Sequence, residues 1–179
     1  RIAQSGRPGP VYLEFPIDVL NTPVQKDTVR NYRTDVGSNP SDPAKAAELI
    51  QMIQKAKNPV VIAGSGTWQS GAELELKAFI EKTGMPLFTS LSGRGVVSDD
   101  HPLCFEGAIA IRPGCGFTAY FETDLIIILG SRICLYYLFG DIFNPAAKLV
   151  QVDIEAEEIG RNRSVDLPVV SDVKGFLQV

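Results

Sequence analysis

The sequence predicts an α/β fold: a doubly wound parallel sheet of five to six strands in a three-layer α/β/α arrangement. Three observations carry that prediction. Short apolar runs, PVVIA (59–63), PLFTSL (86–91), DLIIIL (124–129), KLVQVDI (148–154) and LPVVS (167–171), suit strands buried on both faces. The stretches before and after the first run repeat their apolar residues at helical spacing. Pro and Gly stand at the boundaries, where strand-to-helix turns belong. Strands alternating with helices imply a parallel sheet covered on both sides and joined by right-handed crossovers.

Taken in order, SGRPGPVYLEFPIDV (5–19) reads as a Pro/Gly loop leading into a buried strand over residues 11–15. Residues 21–42 are polar and without period, which is linker composition, and their length suits a join between two domains. Residues 1–20 are therefore expected to be a stub of a neighbouring domain, and 43–179 a domain of their own. Asp42-Pro43 starts a helix, a capping residue followed by Pro in the first turn. Ala46, Leu49, Ile50 and Ile53 give it one apolar face, and Asn58-Pro59 stops it. The run 59–63 then leads into a turn, Gly64-Ser65-Gly66. Ala72, Leu76, Phe79 and Ile80 mark a second amphipathic helix, closed by Gly84 as C-cap. The run 86–91 follows, and a long stretch without an assigned element separates it from 124–129, which ends at Gly130. The runs 148–154 and 167–171 complete the sheet, and a last helix begins at Asp172.

The totals set bounds. A chain of 179 residues is one domain, or one domain with a fragment. Its 45% hydrophobic and 21% charged residues are ordinary for a globular protein. The net charge of −4 and scattered Lys and Arg argue against nucleic-acid binding. Cys104, Cys115 and Cys134 are odd in number and lack CxxC spacing, against both a disulfide framework and a zinc site. They are expected to be small buried hydrophobes in a reducing cytoplasm. No apolar run approaches the roughly 20 residues of a membrane helix. The chain does not begin with Met, and the expected strand at 11–15 has nothing before it to pair with. Both suggest a piece of a longer protein.

In doubly wound sheets ligands bind beyond the carboxyl ends of the strands, near the point where strand order reverses. The residues in that position are 64–66, 90–93, 130–132, 153–155 and 172–173. Glycines at 64 and 66 would let backbone approach a ligand, with helix amides facing a phosphate, or would simply make a tight turn. Arg132 could grip a phosphate or form a surface ion pair. Arg94 and Arg112 are weaker candidates. Asp153 and Asp172 could accept bonds from a ribose or an adenine amine, or cap a helix. The run 86–91 ends without the acid that an NAD site uses for ribose, which counts against an independent NAD-dependent oxidoreductase. A third class, a non-enzymatic module pairing through residues 11–15, rests on the reach of an unpaired strand. Catalytic groups are few. His101, the only His, reads as a surface or turn residue, Ser65 lies in GSG and not GxSxG, and close-set metal ligands are missing.

SGRPGPVYLEFPIDV, NPVVIAGSG, TGMPLFTSLSGRGVVSDDHPL, DLIIILGSRI and KLVQVDIEAEEIGRNRSVDLPVVSDV follow one another as in thiamine-diphosphate-dependent enzymes. The sequence resembles their acetolactate (acetohydroxyacid) synthase-like branch over nearly its whole length. The SGRPGPV and VDIEAEEIGRNR blocks are the specific part. The resemblance implies that 43–179 is the central domain, a Rossmann-like (DHS-like) nucleotide-binding fold, and that 1–20 closes a pyrimidine-binding domain. A pyrophosphate-binding domain would follow; its GDG motif is not matched by Gly140-Asp141-Ile142. Thiamine diphosphate and Mg²⁺ would sit between those two other domains, with the catalytic Glu upstream of Arg1. The chain alone is thus expected to be catalytically incompetent, with no catalytic or metal-ligating residue of its own. The parent is expected to be a cytoplasmic transferase or lyase acting on 2-oxo acids. It would be a homodimer or homotetramer without nucleic-acid or membrane partners, and this domain's partners would be the parent's other domains. In this family the central domain holds FAD, ADP or nothing. Contacts would map onto Arg7, Gly64, Gly66, Ser90, Leu91, Arg132, Asp153, Ile154, Asp172 and Val173. Two departures favour an adenine nucleotide over FAD: residues 107–114 lack the His of a Gly-Met-His-Gly type segment, and 133–137 lack the usual charges.

Overall fold

The computed structural model describes residues 2–26, 40–107 and 114–179. The chain divides into two compact units, Arg1–Gly37 and Ser38–Val179, each described by itself. In the first, the Pro/Gly loop is a series of turns in which Gly6 is left-handed (φ 59°) and Gly9 N donates to the Ala3 carbonyl at 3.1 Å. The expected strand at residues 11–15 does not form. A strand exists only as one side of a ladder, and no described segment offers the other. Val11, Tyr12, Leu13 and Phe15 are exposed, and the chain passes through Pro16 into a one-turn helix, α1 (Ile17–Leu20). Most of the expected 21–42 linker, residues 27–39, lies outside the described residues.

The second unit begins with α2 (Pro43–Lys55). The Asp42 carboxylate accepts from Ala44 N at 2.9 Å, and Pro43 needs no donor there. Its inner stripe is Ala46, Leu49, Met52 and Ile53. Ile50 is 54% exposed, against the expected face, because it stands about 100° around the helix from Leu49 and off the stripe. The helix ends before Asn58. Lys57 N and Asn58 N both donate to the Asp124 carboxylate, at 2.7 and 2.9 Å, which turns the chain into β1 (Pro59–Ala63). Burial opposes ionisation of Asp124, but the amides outweigh it and hold the carboxyl below its ordinary value.

Residues 64–66 are not a simple turn: a short helix, α3 (Ser65–Gln69), starts within them, with Gly64 as N-cap. Then come α4 (Glu73–Thr83), ended by left-handed Gly84 (φ 71°), and β2 (Leu87–Thr89). The stretch left without elements holds a one-turn 3₁₀ segment (Leu91–Gly93), β3 (Cys104–Glu106) and α5 (Cys115–Glu122). After β4 (Leu125–Leu129) the chain makes a 3₁₀ excursion, Leu135–Gly140, and returns as β5 (Lys148–Asp153). A 3₁₀ turn (Ala156–Glu158), β6 (Leu167–Val170) and α6 (Val173–Leu177) follow.

All six strands are parallel, in the order β3-β2-β1-β4-β5-β6. Successive residues point to opposite faces, so each central strand feeds two cores. Val61, Ala63, Ile127, Leu129, Val150 and Val152 pack with Leu49, Leu76, Ile80 and Phe176 of the helices α2, α4 and α6. Val60, Ile62, Ile126, Ile128 and Leu149 pack with Tyr120 of α5 and with Tyr137, Ile142 and Phe143 of the excursion. Burial on both faces explains the unbroken apolar runs. Among the cysteines only Cys104 is buried; Cys115, on the first turn of α5, is exposed, against expectation. Among the described residues no helix is long and apolar enough to cross a membrane.

Candidate functional site

A parallel sheet puts every strand's carboxyl end on one rim, and strand order reverses between β1 and β4. Backbone bonds between neighbouring strand ends finish that rim. Gly107 N donates to Thr89 O (3.1 Å), Ser90 N to Ala63 O (2.9 Å), Gly64 N to Leu129 O (2.9 Å) and Gly130 N to Val152 O (2.9 Å). The topology thus brings Gly64, Gly66, Ser90, Leu91, Arg132, Asp153, Ile154, Asp172 and Val173 to one edge. Arg7 lies in the first unit, Arg1–Gly37, which is described by itself.

At the reversal point the glycines pack against one another. A Cβ on Gly64 would stand 2.4 Å from the Gly130 carbonyl oxygen, and one on Gly66 2.7 Å from Gly130 Cα. Gly93 closes the other side, where a Cβ would meet Ala63 O at 2.3 Å. Gly66 N also donates to Gly130 O at 2.9 Å. The amides of Gly64 and Gly66 are therefore used on the end of β4 and the residue after it, and what these glycines supply is close approach of backbone to backbone.

The polar side of the rim lies over β4 and β5. Arg132, 54% exposed, places Nη1 4.0 Å from Glu158 Oε1, and Arg161 Nη1 is 3.4 Å from the same oxygen. Gln151 fixes this arrangement from within. Its side chain is wholly buried in β5, its amide nitrogen donates to Ser131 O (3.5 Å) and Glu158 O (3.2 Å), and its Oε1 accepts from Gly160 N (3.1 Å). Asn162 Nδ2 donates to Ile133 O at 2.6 Å. Of these, Ser131 falls in the strand-end stretch 130–132 that the sequence marks, whereas Gln151, Glu158, Arg161 and Asn162 are not among its candidate residues. The signal for Gln151 was present: an amide inside a doubly buried run must find partners.

Asp153 and Asp172 are both buried to 9% exposure. Asp153 Oδ1 accepts from Glu155 N at 3.0 Å, and Asp172 Oδ1 caps α6 through Gly175 N at 2.6 Å. Val173 is a core side chain, Ile154 and Ser90 are half-buried, and Leu91 is exposed at the start of the 3₁₀ turn. Arg94 pairs with Asp99 at 3.1 Å and Glu106 at 4.0 Å; Asp99, by hydrogen bond and charge, holds its guanidinium above the ordinary value. Arg112 lies outside the described residues. His101 is a turn residue: Nε2 meets Glu81 at 3.2 Å and Nδ1 accepts from Leu103 N.

Comparison with known proteins agrees with this fold. The family model described as thiamine pyrophosphate enzyme, central domain, matches residues 46–179. A probable acetolactate synthase large subunit of Methanococcus aeolicus is 36% identical, over 99% of this chain and 31% of that protein. Oxalyl-CoA decarboxylase of Escherichia coli is 32% identical, over 99% of this chain and 31% of that protein. The crystal structure of benzoylformate decarboxylase from Polynucleobacter necessarius superposes with a TM-score of 0.78 at 28% identity, covering 98% of this chain and 33% of that one. The chain thus spans about a third of the length of the curated relatives it matches. With the family model matching 134 of 179 residues, the chain belongs to the central-domain family of thiamine-pyrophosphate-dependent enzymes.

Proposed function

We propose that this chain is the central, mainly structural domain of an acetolactate synthase-like enzyme acting on 2-oxo acids, and that its rim holds the ADP portion of a nucleotide, either ADP or FAD. One observation carries the reading. The all-parallel order puts Ser90, Arg132, Asp153 and Asp172 after the carboxyl ends of β2, β4, β5 and β6, on the rim that includes the reversal point, where this class of sheet binds ligands. The side chains suit the role unequally. Arg132 is exposed enough to meet a diphosphate, whereas the Gly64 and Gly66 amides are engaged by the Leu129 and Gly130 carbonyls, so the grip would come from side chains. Thiamine diphosphate with Mg²⁺ would supply the carbanion chemistry on the parent's other domains. This chain alone would then turn over no substrate. The parent would be a cytoplasmic homodimer or homotetramer in which this domain's partners are its neighbours along the polypeptide.

Calorimetric titration of the folded 179-residue chain with ADP and with FAD tests the nucleotide reading. Measurable affinity for either is expected. Arg132→Ala should then weaken it by about 1.5–3 kcal/mol, the scale of a hydrogen bond to a charged group. Absence of heat with both ligands would leave the domain a scaffold.

A further inference from the structure

Glu158 differs from an ordinary surface acid. Its side chain is 12% exposed, while the two arginines it touches, Arg132 and Arg161, reach into solvent. Its backbone is held by the buried Gln151 amide, which also holds the loop carrying Arg132. Surface ion pairs are weak largely because two free side chains must be immobilised together. Here one partner is already fixed, and its carboxylate faces the guanidinium groups from the protein side.

We propose that Glu158 is an internal counter-anion, occupying the guanidinium groups that a phosphate would take, so that an incoming anion must displace it. This rests on the reading that the rim faces a diphosphate. It deepens that reading by making Glu158 the residue that sets how much anionic charge the rim accepts. With Glu158 ionised, the trio carries one net positive charge, which suits a delocalised diphosphate over a compact, highly charged phosphate cluster. Gln151 is the positioning residue that keeps the acid in place.

The test uses the 179-residue chain and two probes, inorganic pyrophosphate and ADP, with wild type, Glu158→Gln and Glu157→Gln. Glu157 is an exposed neighbour, so its variant makes the same charge change without touching the arginine pair. Glu158→Gln should bind pyrophosphate roughly tenfold tighter, equivalent to about 1.4 kcal/mol, with Glu157→Gln within about twofold of wild type. Equal gains in both variants would reduce the effect to net charge and overturn the proposal. So would weaker binding by Glu158→Gln, or no pyrophosphate binding by any variant. If Glu158→Gln does not fold, by circular dichroism, Glu158→Asp carries the test, since it withdraws the carboxylate by one methylene and should give a smaller gain of the same sign. Tighter pyrophosphate binding without ADP or FAD binding would sink the nucleotide reading and leave the counter-anion standing. ADP affinity unchanged by Glu158→Gln would do the reverse.

Discussion

Gly130 stands where β4 meets β1, and Gly130→Ala measures how tightly the loops at the reversal point close. Its φ of 58° is left-handed, which costs an L-residue about 1–2 kcal/mol. The added Cβ would stand 2.6 Å from Gly66 Cα and 2.8 Å from both Gly66 C and Thr67 N. These are backbone atoms that cannot swing aside, because Gly66 N is bonded to the Gly130 carbonyl. Overpacking of this kind costs about 1–3 kcal/mol. Alanine's narrower unfolded ensemble returns about 0.4–1 kcal/mol. The net loss should be roughly 2–4 kcal/mol. Two companions separate the contributions. Gly84→Ala has the same backbone handicap (φ 71°) and nothing within 4 Å, so it should cost about 0.5–1 kcal/mol. Gly64→Ala (φ −114°) has only the contact, at 2.4 Å from Gly130 O and 2.5 Å from Ser131 Cβ. Urea denaturation followed by far-ultraviolet circular dichroism reads all three. A Gly130→Ala loss no greater than that of Gly84→Ala would mean that the loops are not in contact, and the account of the reversal point would fail.

Two further outcomes follow from the caps and the buried phenol. Asp172→Ala should destabilise the chain by about 1 kcal/mol through the lost cap, while Asp172→Asn costs only a few tenths, as measured by urea midpoint; equal losses would mean that the carboxylate's charge matters and not the cap. Burial raises the Tyr137 phenol above its ordinary value of 10.0, so its contribution is intact below pH 10 and is lost as the pH climbs towards the raised folded value. Over that window wild type should lose up to about 1.4 kcal/mol per pH unit more than Tyr137→Phe, read from denaturation midpoints between pH 9 and 11.5. Parallel pH curves for the two proteins would show that Tyr137 ionises normally.

The sequence makes some of this fold plain and hides the rest, for identifiable reasons. The run 59–63 matches β1 residue for residue because burial on both faces removes polar positions and Pro and Gly mark its ends. Asp42, Gly84 and Asp172 announce helix ends through local chemistry, and each does cap its helix. β3 has no such signature: it is three residues long at the sheet edge, and Phe105 and Glu106 are exposed. α5 escapes notice because its exposed face carries Phe121 and Cys115, which blurs any apolar stripe. At the rim, topology names positions but not their neighbours. That Gly64 and Gly66 are glycine is visible at once, whereas the atoms that demand it belong to Gly130 and Ser131, more than sixty residues away.

The VDIEAEEIGRNR block shows how a specific sequence pattern can act at a distance from any ligand. Its last residue, Arg163, donates from Nη1 to Gly140 O at 3.1 Å and from Nη2 to Asn144 O at 2.7 Å, and its guanidinium carbon lies 5.8 Å from the Phe143 ring centre. Burial lowers its basicity, and nearby Asp166 and Asp141 oppose that effect. These bonds clamp the excursion after β4, in which Leu138 (φ 48°) and Phe139 (φ 56°) are both left-handed without being glycine. Such residues cost about 1–2 kcal/mol each and persist only where the surroundings hold them. Asn162 fastens Ile133, and Gln151 fastens Ser131, at the start of the same excursion. The segment after β5 therefore secures the segment after β4 along its length, with Arg132 at its mouth. If Arg132 meets a diphosphate, as proposed, it needs a fixed base, and the residues that would supply one are the buried Gln151 amide, Asn162 and the half-buried Arg163, not the loop that carries it.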